Sequence, residues 1–362
     1  MRMRDARRRD FCTPATAFNL KGETDMDVHR VLLVAVVCLG VAGPVAQAQD
    51  RVVTAQPQAA RAKAPAKPWT QVRGFGRVLN LRNPPVVIDE PGLYAIDRDW
   101  VIPETTTAVV PELIQITVDS VVLDLHNFAI TADAGSLGPP TTLLVITGSA
   151  EIRNGGLGAC CEGAVAVHSP RGANLHHLNI FSHETMQFGP GASITDSTLR
   201  PRFEMQFEER SRLERNDIRC NRGLRCVSFL GDLGEIRDNR MSISQGGGIE
   251  VLGNGNNVAN NVVDMSDNID SFTMFDIKGD HNLVRGNTVL IVQHDGQPLW
   301  AISGTANTLD GNIAWATGGR RALIGMAFTA DGNFYGNNRM AAQTPFVLGG
   351  TVQTDWGGNV GY

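Results

Sequence analysis

Met186-Gln187-Phe188 returns 19 residues later as Met205-Gln206-Phe207, and at the same offset Ile194-Thr195-Asp196-Ser197-Thr198-Leu199 aligns with Leu213-Glu214-Arg215-Asn216-Asp217-Ile218. The frame runs on to the end of the chain. An apolar residue followed at +3 by Asn recurs as Ile236/Asn239, Val258/Asn261, Val284/Asn287, Leu309/Asn312, Phe334/Asn337 and Trp356/Asn359. Counted on the Asn from Asn216, the steps are 23, 22, 26, 25, 25 and 22 residues. Each frame is preceded by a short alternating segment ending at Phe229, Val251, Ile277, Ile302 or Ala327. Upstream the frame persists without Asn at Leu175, Ile152 and Val122.

Apolar runs in this region are short, have period two and are cut by Gly, Asn and Asp, which is the pattern of strands and not of helical hairpins. The steps are too variable, and too short, for propeller blades of about 40 residues. Strand, loop, strand, Asn turn, strand is therefore one coil. The expectation is an all-β protein, a right-handed parallel β-helix solenoid of about eleven coils over residues 111–362, preceded by an N-terminal β cap over 73–110. Asn at matching turns can stack as a hydrogen-bonded ladder and tolerates a left-handed bend.

Composition agrees with an elongated solenoid. The chain of 362 residues exceeds the usual size of one compact core, carries 39 Gly, and has only 19% charged residues with 42% hydrophobic ones, which excludes both disorder and coiled coil. The formal net charge of −5 offers no basic field, so nucleic acid is not an expected partner.

Met26-Asp27-Val28-His29-Arg30, the apolar run Val31 to Gly43 and the small residues up to Ala48 predict a secretory signal peptide over 26–48, cleaved after Ala48. Its 13 apolar residues fall short of the roughly 20 a membrane span needs. Residues 1–25 read as an upstream extension, and the Ala, Pro, Gln and Lys of 49–72 read as a disordered linker. The processed protein is expected to be exported, periplasmic or secreted, and not membrane-spanning. It keeps Cys160, Cys161, Cys220 and Cys226, an even number that suits structural disulfides in an oxidising compartment. Cys220 and Cys226 flank a short loop that a disulfide can close, whereas adjacent Cys160 and Cys161 rarely bond each other without strain.

Val86 to Val101, Ile116 to Ile130 and Ile152-Arg153-Asn154-Gly155-Gly156 resemble the opening of secreted right-handed β-helix proteins of the pectate-lyase-like superfamily, and the resemblance covers roughly residues 85–362. It implies a solenoid whose first strands cap it and whose lateral groove binds acidic polysaccharide. The full catalytic patterns of pectate lyases, polygalacturonases and mannuronan epimerases are absent, so no active residue is carried over. The chain also ends on Gly358-Asn359-Val360-Gly361-Tyr362, within a coil and without a capping helix, so an open edge and homo-oligomerisation through it are expected.

Strand alternation selects the outward residues of the first strand of each coil. They form a polar lane through His168, Gln187, Gln206, Glu208, Ser228, Glu250, Asp276 and Lys278. Glu250 and Asp276 fall on successive coils, and like charges so close push one carboxyl pKa upward, the arrangement of a general acid beside a base or nucleophile. Lys278, the only Lys after Lys67, and His281 are candidate bases or charge stabilisers. The expected catalytic residues are Glu250, Asp276, Lys278 and His281. The expected substrate-binding residues are His168, Gln187, Gln206, Glu208 and Arg240. The bland reading of the same residues is a solvated strand face with weak surface ion pairs.

Ten Arg lie between Arg200 and Arg240, interleaved with acids, and read either as a shelf for glycan carboxylates and sulfates or as an Arg-Glu network. His176 and His177 alternate on a strand, so the histidines at 168, 176, 177 and 183 converge at most in part, and no metal site is expected. The acidic run from Asp264 to Asp270 lacks the spacing of a calcium loop, and no cofactor is expected. Gln245-Gly246-Gly247-Gly248 lacks the Gly-Lys-Ser/Thr and helix of a phosphate loop. Two functions remain in view: a protein that binds an acidic polysaccharide and modifies it as lyase, epimerase or hydrolase, and a non-catalytic envelope or surface module that binds carbohydrate or protein.

Overall fold

The computed structural model describes residues 69–72, 76–82, 84–102, 112–132, 141–160, 162–221, 223–265, 272–291, 296–316 and 322–362. The leader, the upstream extension and most of the linker lie outside them. The described residues form a parallel β-solenoid without helix.

One face is a sheet of twelve parallel strands, from Val86–Ile88 to Ala342–Val347, and it carries the outward lane. The other twenty-four strands make a second and a third face. These two join as one sheet because Ala150–Ala159 and Asn174–Ser182 run around the corner between them. Trp69–Val72 pairs antiparallel with Gly76–Leu79 and closes the N-terminal end of the second face. The first described strand therefore starts at Trp69, inside the segment read as linker. The first lane-face strand, Val86–Ile88, lies in the segment read as cap, and the number of coils differs slightly from the eleven expected.

The register repeats from coil to coil because inward residues are apolar and a slip of one residue would turn them to solvent. Phe188, Phe207 and Phe229 stack at centroid distances of 5.0 and 4.9 Å, and Phe275 lies on Trp300 at 5.4 Å with planes 4° apart. At the corner between the second and third faces, Asn216, Asn239, Asn261, Asn287, Asn312, Asn338 and Asn359 join side chain to side chain at 3.0–3.1 Å. Each Oδ1 also accepts the backbone N–H one coil below, which satisfies a buried donor that a corner would otherwise strand.

The ladder corrects the sequence frame at its end. Asn338, not Asn337, continues it, because Asn337 takes the left-handed corner position with φ +56°. Tyr335, not Phe334, is correspondingly buried. His177 occupies the same corner position one segment after His176 (φ +54°), so the pair does not alternate as on a strand, and their Nδ1 atoms meet at 2.8 Å.

The last coil blunts its own edge. Pro345 interrupts its lane-face strand, and the remaining strands are two residues each, Thr354–Asp355 and Val360–Gly361. The Tyr362 hydroxyl donates to the Ala314 carbonyl at 3.0 Å, two coils back.

Candidate functional site

His168, Gln187, Gln206, Ser228, Glu250 and Asp276 are direct partners on successive lane-face strands, as the alternation requires. The row continues into apolar Ala301 and Ala327. Over its polar part the side chains form a chain of hydrogen bonds. Gln187 Nε2 donates to Gln206 Oε1 at 3.4 Å, and Gln206 Nε2 donates to Glu204 Oε2 at 2.9 Å. The Ser228 hydroxyl lies between Glu204 and Glu250, 3.2 Å from Glu250 Oε2.

Two cations close the chain. Arg225 reaches Asp276 Oδ2 at 2.7 Å and Glu250 Oε1 at 3.5 Å, and Lys278 Nζ reaches Glu250 Oε1 at 2.5 Å and Asp276 Oδ2 at 3.2 Å. The Arg225, Glu250 and Asp276 side chains are only 21, 14 and 10% exposed, so these contacts lie in a partly desolvated setting. Three acids and two bases leave one net negative charge.

Arg225 is the residue that sequence reasoning missed, together with Glu204. It spans two coils because the intervening coil presents Gly247 and Gly248, and a methyl at Gly247 would lie 2.9 Å from the Arg225 guanidinium. The glycine run is thus a clearing for a side chain. Next to Arg225, Cys226 is bonded to Cys220 across a Cα separation of 5.8 Å. Cys160 is disulfide-bonded as well. Disulfides suit an oxidising, extracellular environment.

Glu250 is not a carboxyl with a raised pKa. Burial pushes the Glu250 carboxyl up, but the Lys278 hydrogen bond and the Lys278 and Arg225 charges outweigh it and hold its pKa below the ordinary value. The Lys278 ammonium is raised by its hydrogen bond to Glu250, against a smaller opposing effect of burial. At neutral pH Glu250 is an anion and Lys278 a cation, which suits neither a carboxylic acid donor nor a lysine base.

The remaining candidates separate. His168 is half-buried at the head of the lane. Glu208 is exposed at the corner beside it, in the same row as Lys278 but divided from it by Leu230 and Leu252, which are 43 and 41% exposed. His281 takes a left-handed corner position (φ +57°), is exposed, and among the described residues contacts none of Glu250, Asp276 and Lys278. Arg240 lies on the third face, opposite Asp217, and is not part of the lane. Among the described residues no group of three or more His, Cys, Asp or Glu is placed to hold a metal ion. Most of the acidic run 264–270 lies outside them.

Replacing Arg225 by Gln leaves two partly buried carboxylates facing each other with Lys278 alone. The expected cost is about 2 kcal/mol at pH 8. Glu250 has its folded pKa lowered, so its stabilising contribution is full above the ordinary carboxylate value and is lost as pH falls through the folded one. Without Arg225 the folded Glu250 pKa is held down less, so the loss should shrink on going to pH 4. Urea denaturation of both proteins at the two pH values checks this, and an equal loss at both would mean that Arg225 acts through packing alone.

No protein-family profile, curated protein or solved structure matches this chain.

Proposed function

We propose that this is an exported solenoid protein that holds a polysaccharide chain along the lane from His168 to Asp276. What supports the reading is the in-register polar row itself. Its five steps of about 4.8 Å give a track of roughly 24 Å on which one ligand unit can meet each coil. Amides, a hydroxyl and carboxylates at that repeat match the hydroxyls of an extended sugar chain, and Leu230 and Leu252 beside them offer apolar surface to its ring faces. The lane's two cations are already occupied by Glu250 and Asp276, so it suits hydroxyl-rich segments better than a run of uronate groups.

Catalysis is the second reading, favoured by the convergence of Glu250, Asp276, Lys278 and Arg225 in one cluster. In that reading Arg225 and Lys278 stabilise developing negative charge and Asp276 handles the proton.

One experiment separates them. The mature protein is titrated with neutral glucans, mannans and polyuronates, and each mixture is followed for unsaturated product, new reducing ends and epimer content. Binding without turnover, weakened about tenfold or more by the Gln206→Ala and Glu250→Ala substitutions, is the expected result. Turnover abolished by Asp276→Asn would establish the enzyme instead, and no binding to any glycan would end both.

A further inference from the structure

The coil register sorts the arginine-rich stretch by face, and the faces differ in how their charges are met. On the second face and its corner with the third, Arg212, Arg215 and Arg237 each touch two carboxylates. Arg212 lies 3.2 Å from Glu214 and 3.3 Å from Glu235, Arg215 lies 2.8 Å from Asp196 and 2.9 Å from Glu214, and Arg237 lies 2.6 Å from Glu214 and 3.5 Å from Glu235. That part is the balanced network.

The third face is different. Arg200, Arg219 and Arg240 project from the adjacent strands Thr198–Pro201, Asp217–Cys220 and Arg240–Ile243. Their only shared acid is Asp217, which pairs with Arg219 at 3.1 Å. Arg240 stands opposite Asp217 in the register yet makes no ion pair, and Arg200 makes none either, among the described residues. The Arg200 Nε is in addition buried without a hydrogen-bond partner. Arg200 continues the register that places Thr198 opposite Asp217, so it falls beside Arg219 on the next coil, like charge against like. Asp264, opposite Ser242 one strand further on, is the next acid on this face.

We propose that the third face at these three strands is a second binding surface, for the sulfate or carboxylate groups of an anionic polysaccharide. Guanidinium forks bind such oxyanions bidentately, and an anion there relieves a repulsion that, among the described residues, only Asp217 meets, through its pair with Arg219. The cations rise one coil at a time, at about 4.8 Å, along a flat strand face that an extended chain can follow. A disulfide-bonded chain works in an oxidising compartment, where the polyanion at hand is a glycan and not a nucleic acid. The surface is separate from the lane and does not rest on the reading of it.

The test is retention of the mature protein on an immobilised sulfated glycosaminoglycan and a soluble polyuronate over a salt series, with a single-stranded oligonucleotide and anionic phospholipid vesicles in parallel. The Arg219→Ser/Arg240→Ser variant is expected to bind either glycan at least tenfold more weakly and with a salt dependence reduced by about two counterions. The Arg219→Lys/Arg240→Lys variant keeps the charge and loses the fork, so it should fall between. An Arg210→Ser/Arg285→Ser control removes the same charge from other parts of the surface and should bind as the parent does. Equal affinity of the Ser variant and the parent overturns the proposal, and so does binding confined to the oligonucleotide or the vesicles.

Discussion

Gly279→Ala is expected to destabilise the protein by about 3 kcal/mol or more, an effect shared with the other tightly apposed glycines of the same corner. The reason is geometric. A methyl at Gly279 would lie 1.9 Å from the Gly253 carbonyl oxygen and 2.8 Å from that of Leu252, and both obstacles are backbone. The same contact repeats along the corner, at 1.8 Å for Gly253 against Gly231 and 2.0 Å for Gly304 against Gly279, so the coils cannot part at one level without disturbing the next. A side chain can turn aside, but a carbonyl held in a ladder cannot. Thermal and urea denaturation of the variant, with hydrogen exchange at the neighbouring corners, measures the effect. A loss under 1 kcal/mol would mean that the coils are less tightly apposed than the structure has them.

Asn261→Ala is the second. Asn261 Oδ1 accepts from the Asn239 backbone N–H at 3.1 Å and from Asn239 Nδ2 at 3.0 Å. Its Nδ2 donates to the Ile236 carbonyl at 2.8 Å and to Asn287 Oδ1 at 3.0 Å. The residue is fully buried, so truncation strands donors and acceptors that water cannot reach. About 3–4 kcal/mol is expected, against about 1 kcal/mol for Asn359→Ala at the half-exposed end of the ladder. The comparison matters because stacked repeats need not unfold as one unit. A local readout, amide exchange at Asn239 and Asn261, should show the break centred there. Equal effects of the two substitutions would show that the ladder adds little beyond shape.

Most of the architecture could be read from the chain because a solenoid makes residues about 19 to 26 positions apart into neighbours, and strand alternation then says which of them face out. That placed Glu250 against Asp276, and Gln187 against Gln206, before any coordinates. Arg225 escaped because its side chain crosses a whole coil to a partner 51 residues away, and periodicity records which residues stack, not how far a long side chain leans. The clue was the run Gly246-Gly247-Gly248, legible only as a bend until the arginine above it was in view. The charge state of Glu250 was hidden for the same reason: two adjacent carboxylates suggest a raised pKa, and Lys278 together with the unseen Arg225 reverses it. Glu208 and Arg240 shared the stretch but not the face, which in Arg240 was decided by a corner between it and the lane.

The amide ladder has a direction. Each ladder Nδ2 hands one of its two protons to the next Asn toward the C-terminus and the other back to a backbone carbonyl, and that of Asn359 gives one to Asp355 Oδ1 at 2.7 Å, which also takes the Gly357 N–H at 2.7 Å. A complete turn spliced into the middle of the chain would find a donor on one side and an acceptor on the other. The molecule can therefore grow or shrink by whole increments from within.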